Sequence, residues 1–117
     1  MTCFCEYELP QFIHIRMRKA RKPHACTECG VTIQPGDTYE KVSGSWEGHI
    51  ENFKTCARCL ELREWVQAHV PCFCYSFGSV REEALEAARE WAHEAPGLLF
   101  GAYRREVAIR RAVRAQA

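Results

Sequence analysis

All eight cysteines fall into four short pairs: Cys3/Cys5, Cys26/Cys29, Cys56/Cys59 and Cys72/Cys74. The inner pairs read C-x2-C and stand 26 residues apart, and the outer pairs read C-F-C and flank that block. A thiolate pair at such spacing grips one side of a tetrahedral metal ion, and a second pair completes the shell. The pattern predicts two nested sites: Cys26, Cys29, Cys56 and Cys59 inside, and Cys3, Cys5, Cys72 and Cys74 outside. Zinc is the expected ion at both. Rubredoxin-like iron sites repeat C-x2-C-G in both pairs, whereas here Leu60 follows Cys59. The two members of a C-x-C unit diverge too much to bond to one another. Two bridges across the units, Cys3–Cys72 and Cys5–Cys74, or unrelated buried thiols, stand as the alternatives to an outer metal. His24, close to Cys26, could replace a cysteine ligand; His14, His69 and His93 read as surface or packing residues.

These thiols need elements to hold them. The string CTECG at 26–30 has the form of a knuckle, with Gly30 free to take the positive φ that aims backbone N–H groups at sulfur. Pro35-Gly36-Asp37 is a turn signal. The segments around it and from His49 to Phe53 suit a hairpin, with a Gly-flanked loop at 45–47 carrying Trp46. Thr55 is a candidate N-cap for a helix with Leu62, Trp65, Val66 and His69 on one face. Cys56 and Cys59 then lie in its first turn, where the dipole favours thiolate. Before the knuckle, Ile13, Ile15 and Met17 alternate with His14, Arg16 and Arg18, the pattern of a half-buried strand with a basic outer face. Beyond the last cysteines, Ser79 and Glu82 read as a capping box. A helix to about 94, a Pro96-Gly97 break and an arginine-rich last helix follow. The expected fold is α+β. A small zinc-stabilised treble-clef-like domain (knuckle, β-hairpin, helix) with an N-terminal strand occupies 1–76. A C-terminal α-helical hairpin occupies 77–117 and packs on it.

The formal charge of +1 hides both sign and segregation. Each filled tetrathiolate centre carries about −2, so two of them turn the chain acidic. Residues 14–22 hold five basic and no acidic side chains; residues 79–95 hold five acidic and two basic. The opening residues lack the basic start and apolar run of a signal peptide, and nothing approaches the roughly 20 apolar residues of a membrane span. The bacterial host cytoplasm is the expected compartment, where close cysteine pairs serve as metal ligands more often than as disulfides.

RKARKPHACTECG at 18–30, PGDTYEKVSGSWEG at 35–48 and FKTCARCLELRE at 53–64 resemble a group of small zinc-binding proteins of bacteriophages and prophages, as do the C-x-C near the start and the CFC before the last helices. The likeness covers residues 3–80 and implies a phage setting and metal binding, with no activity attached. An HNH-type nuclease also uses a treble clef, but Cys56 follows His49 too soon and His69 falls at the far end of the helix. The expectation is a non-enzymatic binding protein that occupies a surface of a host protein or complex, an anti-defence (anti-CRISPR-like) inhibitor being one form. A nucleic-acid-binding zinc-finger regulator is the alternative. The expected contact residues are Arg16, Arg18, Arg21, Lys22 and Trp46.

Overall fold

The structure is a computed structural model that describes Cys5 and residues 10–116. Five strands and three helices follow in the order β1 (Phe12–Lys19), β2 (His24–Ala25), β3 (Thr32–Ile33), β4 (Thr38–Trp46), β5 (His49–Thr55), α1 (Ala57–His69), α2 (Val80–Glu90) and α3 (Leu98–Ala115). The chain is α+β. β1, β4 and β5 form an antiparallel sheet with β4 in the centre, and β2 pairs with β3 in a separate two-stranded ribbon. The hairpin between β4 and β5 is tighter than its glycines suggest. β4 runs through Trp46, and the turn is Glu47-Gly48, both at positive φ (49° and 80°), the two-residue connection that matches strand twist.

Register decides what each sheet face carries. Ile13, Ile15 and Met17 pair with Gly44, Val42 and Glu40, and Val42 and Gly44 pair in turn with Phe53 and Glu51. This inner face meets α1 through a buried ion pair: both Arg63 guanidinium nitrogens donate to the Glu40 carboxylate, at 2.8 and 2.5 Å. The aromatic segment after α1 completes the cover, with Phe77 stacked on Phe53 at 4.9 Å and Arg63 lying 5.3 Å over the Tyr75 ring. The cover stops short of β1. Ile15 and Met17, expected to be half-buried, are 51% and 53% exposed, because β1 is an edge strand with no helix over it.

The helices pack mainly on one another. Leu62 and Val66 of α1, Ala84 and Ala88 of α2, and Leu98, Ala102 and Ile109 of α3 form one core with Cys26, Cys56 and Cys59. The Trp65 indole lies against Gly101, where any side chain would overlap it, and donates to the Leu98 carbonyl at 3.0 Å. Phe100, Tyr103 and Val107 of the arginine-rich helix remain exposed.

Both expected caps fail in an informative way. Thr55 is the last residue of β5, and the α1 N-cap is Cys56, so the cap position is occupied by one of the inner cysteines. Ser79 is the α2 N-cap, but its backbone (φ −125°, ψ 14°) makes no side-chain cap bond. Glu28, in the knuckle 50 residues earlier, accepts instead from the amides of Gly78 (2.6 Å) and Val80 (2.9 Å). At the other end of the helical pair, the Gln116 amide accepts from Thr32 N–H at 2.6 Å and donates to the Thr32 carbonyl at 3.2 Å, pairing with β3 as a strand would.

Arg63→Ala leaves the Glu40 carboxylate buried and unpaired. It is expected to destabilise the fold by about 3–5 kcal/mol. Urea denaturation followed by circular dichroism measures this, and a loss below about 1 kcal/mol, the range of an exposed pair, would show that the pair is not the strut described here.

Candidate metal centres and a basic sheet face

The knuckle begins where β2 ends. Cys26 N–H donates to the Val31 carbonyl and Gly30 N–H to the Cys26 carbonyl, both at 2.9 Å. Gly30 closes this turn at φ 78°. The knuckle is sewn to β5 by a reciprocal pair: Thr27 N–H to the Lys54 carbonyl (2.7 Å) and Lys54 N–H to Thr27 Oγ1 (2.9 Å). That stitch brings Cys26 and Cys29 beside the first turn of α1. Cys26 Sγ lies 3.9 Å from Cys59 Sγ, and Cys29 Sγ lies 3.8 Å from Cys56 Sγ. All four sulfurs fall within 4.8 Å of one another. A tetrahedral ion with metal–sulfur bonds of about 2.3 Å needs sulfur–sulfur edges of about 3.8 Å. The four residues could hold a metal ion with little rearrangement.

The electrostatics of the cluster point the same way. Contacts from the Cys29, Cys56 and Cys59 thiols hold Cys26 far below the usual thiol range, helped by the Cys56 N–H 3.4 Å from its sulfur. Cys56 settles at about 7, between the Cys26 contact that raises it and the Cys29 and Cys59 contacts that lower it. Cys29 and Cys59 are pushed up, first by the already ionised Cys26. One thiolate forms readily here and four do not, unless a cation sits among them.

The second cluster contains Cys5, Cys72 and Cys74, whose sulfurs also lie within 4.8 Å of one another, with Cys72 and Cys74 at 3.7 Å. They too could hold a metal ion. In the structure Cys5 and Cys74 are joined as a disulfide with Cα atoms 5.5 Å apart. The bridge runs across the two C-F-C units, as their geometry requires. Cys3, expected as the fourth member, lies outside the described residues. Either chemistry fastens the start of the chain to the segment after α1.

The outer face of the three-stranded sheet belongs to cations. Arg16 stands directly opposite Lys41, and Lys41 directly opposite Lys54, three positive side chains in one row across three strands. Arg18, opposite Tyr39, adds a fourth one step along. No acidic residue occupies this face between Phe12 and Lys19 or on its partners in β4 and β5. Among the described residues none of these four cations is in an ion pair. Beside the row, Arg21 and Lys22 wall a concave pocket of about 410 Å³ floored by Tyr39. Its positive field is felt by His24, whose pKa is lowered first by desolvation and then by Lys54, Lys22, Lys41 and Arg18.

The structure thus gathers Arg16, Arg18, Arg21 and Lys22 on one side of the sheet and adds Lys41 and Lys54. Strand parity in 38–46 and 49–55 offered the only hint of these two, and the register that sets them opposite Arg16 is invisible in sequence. Trp46 lies elsewhere: its ring folds over Gly44 on the inner face and meets Phe53 edge-on at 5.6 Å. It helps line an apolar groove of about 570 Å³ with Ile13, Ile15, Phe73 and the Cys5–Cys74 bridge. His49 begins β5 beside Trp46, and His69 ends α1 with its ring 4.2 Å from Trp65.

No protein-family model, curated protein or solved structure matches the chain. Among the described residues no helix is long and apolar enough to cross a membrane.

Cys59→Ser alters the most buried of the four inner thiols. If a metal organises the inner cluster, this variant should lose one equivalent of bound metal and the cooperative melt, since a structural ion contributes on the order of 10 kcal/mol. A wild-type melt with full metal content would refute the assignment. Cys74→Ser opens a closure spanning 69 positions. The loss is expected to be smaller, up to about 4 kcal/mol by chain entropy, with the inner metal retained.

Proposed function

We propose that this chain is a non-enzymatic, zinc-stabilised binding protein whose working surface is the basic outer face of the sheet, and whose ligand is nucleic acid. The observation that carries the reading is the Arg16–Lys41–Lys54 row. Like charges directly opposite in a sheet are destabilising, by about 0.2–1 kcal/mol per pair. This row holds two such pairs with no acid on the face to relieve them. A polyanion laid across it removes the repulsion and releases its own counterions, so the cost in the free protein is returned on binding.

Zinc is the ion this reading assigns to the inner cluster. Four sulfur donors at tetrahedral edges, closed to solvent by Cys26, Cys56 and Cys59, suit a structural rather than a catalytic site. The order of knuckle, hairpin and helix with ligands in the first turn follows the treble-clef pattern. A second zinc ion at Cys5, Cys72 and Cys74 belongs to the same reading under reducing conditions. The likeness to small phage proteins supplies a setting in the infected bacterial cell.

A host protein or complex is the second reading, with an anti-defence inhibitor as one form. The aromatic groove beside Trp46 on the inner face favours it, because large exposed apolar concavities are commonly binding sites.

Replacing Arg16, Lys41 and Lys54 together by Gln should leave melting temperature unchanged or slightly raised, since two repulsive pairs disappear. Oligonucleotide affinity should fall, and the slope of log affinity against log salt should shrink by about 2–3, one step for each lost phosphate contact. Fluorescence anisotropy over a salt series measures both. Wild-type protein that ignores nucleic acid at low salt would defeat the proposal, and the groove would then be the surface to pursue with host proteins.

A further inference from the structure

The outer face is graded, and the grading says which form of nucleic acid it takes. Successive rows on one face of a sheet are about 7 Å apart. The first two carry Arg18 with Tyr39, then Arg16 with Lys41 and Lys54. The third carries His14, Ser43 and Asn52. Here Ser43 Oγ donates to Asn52 Oδ1 at 2.7 Å, which leaves the Asn52 NH₂ to donate elsewhere. Arg16 is held toward the same row, its guanidinium 3.0 Å from the His14 ring. The fourth row carries Phe12, Ser45 and Ile50, with Phe12 52% and Ile50 71% exposed. Charge, hydrogen-bonding groups and exposed apolar side chains thus follow one another over roughly 20 Å of a single open surface.

A duplex cannot use that series. It turns phosphates outward on every side and offers base edges only within its grooves, which are read by an inserted helix or ribbon. All three helices of this chain belong to the core on the other side of the sheet or beside the knuckle. Phosphates laid over Phe12 and Ile50 would be desolvated with no partner. A single strand has a charged edge and an apolar edge, and its unstacked bases seek a ring or an aliphatic surface.

We infer that the outer sheet face binds single-stranded nucleic acid, with backbone phosphates on the Arg16–Lys41–Lys54 row, base edges over His14 and Asn52, and a base packed on Phe12 beside Ile50. This rests on the nucleic-acid reading above and narrows it. Phe12 is a positioning surface for a base and contributes no charge, so its effect separates from that of the cations.

The test is anisotropy of labelled strands of about 12 nucleotides, DNA and RNA, against duplexes of the same sequence, with wild type, Phe12→Ala and Ile50→Ala. Both changed side chains are exposed, so folding should be kept, and an unchanged melt checks this. Wild type should bind single strands at least tenfold tighter than duplex at about 100 mM salt. Phe12→Ala should weaken single-strand binding by about five- to a hundredfold, and Ile50→Ala by less, with the salt slope of both unchanged. Equal or tighter duplex binding, or a Phe12→Ala variant with wild-type affinity, would overturn the single-strand inference and leave the basic-face reading intact. Binding to neither form would overturn both.

Discussion

Four sulfur atoms have to meet for this chain to have a shape. Two come from a turn after a two-residue strand, and two from the first turn of a helix 27 positions away. Little else unites these pieces: β2 and β3 are too short to be stable alone. The bonds between Thr27 and Lys54 align the knuckle with β5, but they are one backbone bond and one bond to a side-chain hydroxyl. The ionisation pattern shows why an ion is the natural closure. Sulfurs this close suppress one another's charge, and a dication converts four mutually opposed groups into one bonded unit. The packing of α1 against α2 and α3 then builds outward from a helix whose start is already fixed.

How far the sequence could be read depended on whether the signal was local. The four inner cysteines announced themselves by spacing, and the alternation of Ile13, Ile15 and Met17 with basic residues placed the two sets on opposite faces. Thr55 and Ser79 were the right residue types at helix starts and yet make no cap. At Thr55 the neighbouring Cys56 takes the cap position, and at Ser79 the side chain makes no cap bond while a carboxylate from the knuckle arrives in its place. Nothing local marks Arg63 for burial, because its partner Glu40 lies 23 positions away on a central strand. Trp46 seemed a loop-tip aromatic because glycines flank it. In fact Gly44 leaves the space into which the indole folds. At Arg63 and Ser79 a long-range contact overrides a sound local rule.

The sheet divides the molecule into two unlike surfaces. The inner side is aromatic, shared between core and groove, and touched by the Cys5–Cys74 bridge. The outer side has almost no core function beyond Tyr39, which packs with Ile33 and Ala20 under the ribbon. A face that contributes little to folding is free to carry repulsive charge, since the stability it forgoes is small beside that supplied by the helical core. Substitutions on the outer face should therefore disturb folding little, whereas those on the inner face reach the core.

Glu28 gives the architecture its last consequence. It stands between Cys26 and Cys29, in the loop that presents two of the four inner thiols, and its carboxylate is the N-terminal cap of α2. Gln116 at the end of α3 grips Thr32 just beyond the same loop. The C-terminal hairpin is thus anchored at its beginning and at its end to the few residues around the inner cysteine cluster. These two anchors tie its melting to that of the knuckle: whatever opens the inner cysteine cluster also loosens a helix start and a helix end.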